Sequence, residues 1–367
     1  MSYLSWGKAG KRLWPILTTA LLLFPNAVYS PQPVAASGVI HAGNIQVKAA
    51  GKNFTVQTVS IPKGTPVSIG LAKHQVGSVE SFTSIVHQYK AAAAINGAFF
   101  SAYQDPPEPY GTLIIHGQLA NVGRYGTTIG FKQDGTVIMD TLRPSITGTS
   151  KDVTGKSNGW YADFMNRTAD TSRSEIDMYT PERGKKVGFQ GGVAITIVNH
   201  VVTRNGINHN AAIPSNGYVI VLAGARKDYA SRFPVGSTVQ MNLSYKDMDG
   251  KELNWSDVHT AVGAGPRLIR DGQVSLNPKA EGFADPKILT SSAARSGIAI
   301  MQDGSVLLAT VHGATMGQWA AIMKAMGAKQ AMNLDGGASS AMYASGKMLT
   351  PAGRLLSNTL IFGSSMK

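Results

Sequence analysis

Ala331-Met332-Asn333-Leu334-Asp335-Gly336-Gly337-Ala338-Ser339-Ser340-Ala341-Met342-Tyr343 is the stretch on which the reading of this chain turns. A short apolar run ends in an amide and a carboxylate. Two glycines, two hydroxyls and a second apolar run follow. A buried strand that delivers polar groups to its end, then a backbone free to bend, is a common way to build a site. Asp-Gly is equally a strong hairpin dipeptide, so Asp335-Gly336 between two strands would explain the glycines without any chemistry. On this stretch alone both readings stand.

A similar sequence occurs upstream, where Ala94-Ile95-Asn96-Gly97-Ala98-Phe99-Phe100 is again an apolar run ending in an amide and a glycine. The acidic, proline-rich Asp105–Pro109 that follows reads as a loop. Then a pattern appears twice. Gly111–Leu119 with Ile129–Met139, and Gly265–Val274 with Gly297–Leu307, each read as strand, glycine turn, strand, spacer, and a hairpin closed by Asp-Gly. This is either a weak internal duplication or a pair of hairpins of separate origin; two copies are too few for a solenoid.

Two helices are expected. Phe82, Ile85, Val86 and Tyr89 share one face within 80–94, and Trp319, Ile322, Met323 and Met326 share one within Thr315–Met326, with Gly327 to end it. Strands are expected at His41–Lys48 and Phe54–Ile61, the latter with a bulge near Thr58 where its apolar face switches. Strands are also expected at 193–202, 218–223 and Ile176–Tyr179; the rest of 145–190 is polar and irregular and reads as loops, as does Leu276–Ser292. Trp160 and Tyr161 in the former would stack on a sugar or pack locally. The class is α+β, a mixed β-sheet core with few helices.

At the N-terminus, Lys8, Lys11 and Arg12 precede the apolar run Leu13–Phe24 and the small residues Val34-Ala35-Ala36, the layout of a secretory signal over 1–36. An uncleaved anchor is the alternative, though the run is short for a membrane span. Removing those three cations lowers the net charge from +13 to +10, and the first acidic residue is Glu80. Such a balance suits anionic partners, an anionic glycan or a phosphate-bearing sugar among them. No helix-turn-helix, zinc-finger or RNA-binding signature is present, so nucleic acid is not expected, and the membrane only through an uncleaved signal. Without cysteine there is neither a disulfide nor a cysteine-linked lipid anchor. A secreted or periplasmic protein of a bacterial envelope fits these features.

The segments Asn96–Phe100, Val262-Gly263-Ala264-Gly265-Pro266, Ala294-Arg295-Ser296-Gly297 and Asn333–Ser340, with Arg354-Leu355-Leu356-Ser357-Asn358 at the end, together resemble the ordered motifs of the phosphodiester glycosidase family. The resemblance runs from about Ala94 to the C-terminus and marks 81–367 as the domain, with 37–80 as a β-rich extension. Two positions depart from it. His312-Gly313-Ala314 stands where many members have an acidic residue and a glycine, and Ala338 replaces a third glycine.

The resemblance implies hydrolysis of a sugar-1-phosphodiester in an envelope or extracellular glycan or glycolipid. Within that chemistry Asp335 is cast as nucleophile or general base, and His312, despite departing from the family pattern, as an acid. Arg295 would hold phosphate, Asn96 and Asn333 would bind sugar hydroxyls, Ser339 or Ser340 would contact phosphate beside N–H groups freed by Gly336 and Gly337, and Gly97 belongs to the same substrate-binding set. Each also has an ordinary structural explanation: turn, ion pair, strand-end cap, partly buried histidine or backbone partner. No His/Asp/Glu spacing of a zinc or two-metal centre is seen, so no metal is expected, though Asp335 and neighbouring amide oxygens could take Ca²⁺. The competing functions are a non-catalytic envelope glycan-binding protein and a metal-dependent phosphodiesterase.

Overall fold

The structure is a computed structural model and describes residues 38–363. The leader expected over 1–36 lies outside the described residues. Among those residues no helix is long and apolar enough to cross a membrane.

The described chain is mostly strand, in four sheets. A seven-stranded sheet has the order His41–Ala49, Lys52–Ile61, Val306–Ala314, Ala293–Ile300, Gln330–Asn333, Arg267–Arg270, Gln273–Val274. One five-stranded sheet runs Gln118–Asn121, Leu113–Ile115, Val258–Gly263, Thr128–Lys132, Val137–Asp140. A second runs Lys347–Thr350, Met342–Ala344, Ala93–Asn96, Asn358–Phe362, Val67–Leu71. The fourth has eight strands and is built from residues 143–246. The main core, with Ile69, Ile95, Leu113, Ile129, Met332, Leu334 and Leu360, draws on the seven-stranded sheet and both five-stranded ones.

Both copies of the repeated pattern form as expected, and they share a topology. In each, two antiparallel hairpins flank one strand from elsewhere in the chain, antiparallel to both: Val258–Gly263 in one sheet, Gln330–Asn333 in the other. At the hairpin turns Gly135 and Gly304 have φ of 79° and 82°, and Asp134 and Asp303 each accept the N–H two residues on. That is Asp-Gly acting as a turn.

Asp335-Gly336 behaves differently, and the hairpin reading is overturned. Gly336 is extended, with φ −127°, and the strands on either side belong to different sheets: Gln330–Asn333 to the seven-stranded one, Met342–Ala344 to a five-stranded one. The stretch is a crossing between sheets. A one-turn 3-10 helix, Gly337–Ser339, makes the bend. Gly263–Pro266 is a second crossing, leading from the strand Val258–Gly263 to the strand Arg267–Arg270.

Both helices form. Phe82–Gln88 buries Phe82, Ile85 and Val86. Met316–Ala325 is opened by a capping box between Thr315 and Gln318 and lays Trp319, Ile322 and Met323 on the seven-stranded sheet. Leu276–Ser292 is a loop apart from the short helix Pro286–Leu289.

Two expectations fail. Lys52–Ile61 has no bulge near Thr58; its pairing with His41–Ala49 and with Val306–Ala314 is continuous, and its apolar residues switch face because both faces are covered. Residues 145–190 are largely strand, including Arg143–Lys151 and Ser157–Ala162. The buried face of Arg143–Lys151 carries Ile146, Gly148 and Ser150 beneath Trp160, too small and polar a set to show apolar alternation. Trp160 is therefore a core residue, and Tyr161 packs beside Tyr229.

Candidate functional site

Where the three crossing sheets meet, backbone and amide groups converge on Asp335. Asn96, 1% exposed at the end of its strand, donates through Nδ2 to the Asp335 carbonyl at 2.6 Å and accepts the Ala341 N–H at 3.0 Å. The Asp335 N–H donates to the Gly97 carbonyl at 3.1 Å. Gly97 has no room for a Cβ, which would collide with Asn358 Oδ1; that oxygen accepts the Ala98 N–H at 2.7 Å. The fully buried Asn333 donates through Nδ2 to the Gly265 carbonyl at 3.1 Å, and its own carbonyl accepts the Gly265 N–H at 2.9 Å. The two amides thus tie three sheets together beneath one carboxylate.

The carboxylate itself faces the Gly336 N–H, which donates to Oδ1 at 2.8 Å, and the Ser339 hydroxyl. Burial pushes its pKa from 3.8 up to about 6, against the opposing pull of Ser339, Gly336 and the Arg354 guanidinium. Ser340 is also buried, its hydroxyl without a protein partner, and no atom lies within 4 Å of where a Gly337 side chain would start. Asn96, Gly97, Asn333, Asp335, Gly336, Gly337, Ser339 and Ser340 are therefore brought together.

The Arg295 backbone borders Gly336 but its guanidinium is held elsewhere, and His312 lies on the next strand beyond. Arg295 is 2% exposed, and its guanidinium donates to the carbonyls of Ala314, Lys287 and Ser291, so it fastens the end of the Pro286–Leu289 helix to the sheet. A pairing irregularity between Ala293 and Arg295 accompanies that placement. The cation that acts on Asp335 is Arg354. His312 is exposed at the end of its strand, two strands from Asp335 in the sheet order.

Groups that sequence reasoning left without a role complete the surroundings. Arg354 donates to the Tyr103 hydroxyl at 2.9 Å and lies 5.2 Å from its ring centre. Tyr125 packs edge-on against Phe283, and its hydroxyl is held protonated to unusually high pH by burial and by the charges of Tyr110 and Asp335, with Arg167 opposing. Arg167 and Arg124 sit over the Phe164 ring at 4.3 and 5.1 Å. The C-terminal motif around Arg354 was a legible signal; the aromatic and cationic residues of the loops gave none.

Glu281 also lies at the junction, but both its oxygens are taken, by the Arg267 N–H and the Thr127 hydroxyl. Among the described residues no three His, Cys, Asp or Glu side chains converge as a metal site would require, and the Asn96 oxygen is occupied by Ala341. A cavity of about 700 Å³ opens elsewhere, lined by Lys63, Phe131, Lys132, His259, Gly304 and Phe362 among others. It lies at the Gly304 turn, the opposite end of those strands from Asp335.

The raised pKa has a thermodynamic consequence. Asp335 binds its proton more tightly folded than unfolded, so its stabilising contribution is complete below pH about 4 and is lost as pH rises through about 6. Melting curves of the intact chain and Asp335→Asn should diverge across that window, the variant losing this part of the pH dependence. Parallel curves would show that the carboxyl is not buried as described.

Residues 191–362 match the family model for phosphodiester glycosidase, a stretch that holds the motifs at 262–266, 294–297, 333–340 and 354–358. Several solved structures are similar, among them the following three. A hypothetical protein from Synechocystis is 24% identical over 88% of this chain, with a TM-score of 0.73; this chain spans only 62% of that protein. A protein from Burkholderia pseudomallei K96243, named provisionally as exported, is 22% identical over 84% of this chain and 74% of its own, with a TM-score of 0.68. The zebrafish N-acetylglucosamine-1-phosphodiester α-N-acetylglucosaminidase catalytic domain, auto-inhibited by its pro-peptide, is 13% identical over 90% of this chain and 85% of its own, with a TM-score of 0.49. The first two establish a shared fold. No curated protein matches the chain.

Proposed function

We propose that the protein is a hydrolase of sugar-1-phosphodiesters, exported to the envelope or beyond, with Asp335 as its reacting carboxylate. The family match at 191–362 supports the reaction class. The observation that carries the reading is the carboxylate of Asp335, braced by Gly336 and Ser339, with the Arg354 guanidinium acting on it.

In this reading Asp335 either takes a proton from the water that attacks the anomeric carbon, or attacks that carbon itself and is then displaced from it by water. The bond between that carbon and the phosphate oxygen breaks, and its electron pair leaves with the phosphate. A phosphomonoester is a good leaving group, so a second carboxylic acid is not essential. That suits a junction where Glu281 is fully committed to Arg267 and Thr127. Arg354 is placed to take up the charge that grows on the leaving phosphate. In this reading no step is assigned to Arg295, whose guanidinium is held by three carbonyls, or to His312. The N-terminal leader and the exported relative support an extracytoplasmic setting.

Hydrolysis in ¹⁸O-labelled water tests the bond assignment. Label is expected in the released sugar; label in the phosphate would mean phosphodiesterase chemistry and overturn this reading.

A further inference from the structure

The loops next to Asp335 carry both exposed tyrosine rings and guanidinium groups. On one side Arg354 acts on the Asp335 carboxylate and, 2.9 Å away, holds the Tyr103 hydroxyl; the Tyr103 ring is 85% exposed. On the other, Tyr110, which is 43% exposed, follows the Asn96–Phe100 segment whose Gly97 carbonyl accepts the Asp335 N–H, and Arg167 stands over the Phe164 ring at 4.3 Å.

Tyr103 and Tyr110 are not on a slack loop. Phe100 pairs with Pro109, the Tyr110 N–H donates to the Phe99 carbonyl at 2.8 Å, and the Ser101 N–H to the Glu108 carbonyl at 2.9 Å. Glu108 Oε1 then accepts from Arg183 at 2.6 Å and from both the N–H and hydroxyl of Thr168 at 2.7 Å. That buried pair fastens the tyrosine loop to the turn bearing Arg167. A rigid loop that holds aromatic faces in water is built for a ligand, since folding gains nothing from their exposure.

Resting on the proposed function, we infer that the substrate is a repeating poly(glycosyl phosphate), with Tyr103 and Tyr110 stacking on sugars beyond the scissile one and Arg354 and Arg167 meeting successive phosphates. A sugar face wants an aromatic ring and a phosphate wants a guanidinium, so such a polymer offers partners to both kinds of group on these loops. The net charge of +13 suits a polyanion. A single lipid-linked or nucleotide-linked sugar would use only one ring and one cation.

The test compares a four-repeat oligo(hexosyl phosphate), the methyl diester of one hexosyl phosphate, and a nucleoside-diphosphate hexose. The intact chain should prefer the four-repeat compound in kcat/KM, with KM rising steeply with salt. Tyr103→Ala should lower the ratio of four-repeat to methyl-diester kcat/KM by about tenfold, and Tyr103→Trp should restore most of it. An unchanged ratio, or a preference for the nucleotide sugar, overturns the inference. If the intact chain cleaves none of the three, the proposed function fails. Four-repeat binding to the intact chain and Tyr103→Ala then still decides the wall: about tenfold weaker binding supports it, equal binding overturns it.

Discussion

Asp335→Asn should abolish release of sugar, by about a thousandfold or more in kcat, while the protein still folds. The amide keeps the size of the carboxylate and can still accept from Gly336, so the crossing between sheets survives. What it cannot do is attack carbon or take a proton from water. At neutral pH the variant should melt no lower than the intact chain, because it removes a charge that burial disfavours. Circular dichroism and melting establish the fold; a sugar-release assay reads activity. Turnover within tenfold of the intact chain would remove Asp335 from the reaction.

Arg183→Met should destabilise the protein by about 3–5 kcal/mol, the usual cost of stripping a buried carboxylate of its partner. The side chains of Arg183 and Glu108 are 5% and 13% exposed. Arg183 also donates to the Asn166 carbonyl and the Thr168 hydroxyl, so three segments lose a partner at once. Adding Glu108→Gln to Arg183→Met should recover part of the loss, since the stranded charge is gone. Denaturant unfolding measures both. A single variant within about 1 kcal/mol of the intact chain would show a pair as weak as those on surfaces.

Much of this architecture was legible in the sequence. The helix 316–325 followed from the period of Trp319, Ile322 and Met323, and its start from Thr315. The duplicated hairpins followed from glycine and Asp-Gly spacing. The gathering of Asn96, Asn333 and the 335–340 run followed from the family motifs. Other features are set by direction and distance, which residue type does not encode. Arg295 is an arginine in a family motif, yet its guanidinium faces helix-end carbonyls. Arg354 stands in the C-terminal motif, yet the motif does not say which group its guanidinium acts on. Asp335-Gly336 has the composition of a hairpin, but Gly336 is extended because its neighbours pair in separate sheets. The strand Arg143–Lys151 stayed hidden because its inner face fits a tryptophan over glycine and serine.

The amide-braced junction also assigns motion. The hydrogen bonds of Asn96 and Asn333 that fix the floor beneath Asp335 join sheets sharing one core, so the floor can open only if that core opens. Amide protons there belong to the slowest-exchanging class, released by global unfolding alone. Recognition of the substrate is left to the outer loops that carry Tyr103 and Arg354, which lie outside that core. Selection can retune those loops for a new polymer without disturbing the carboxylate beneath them.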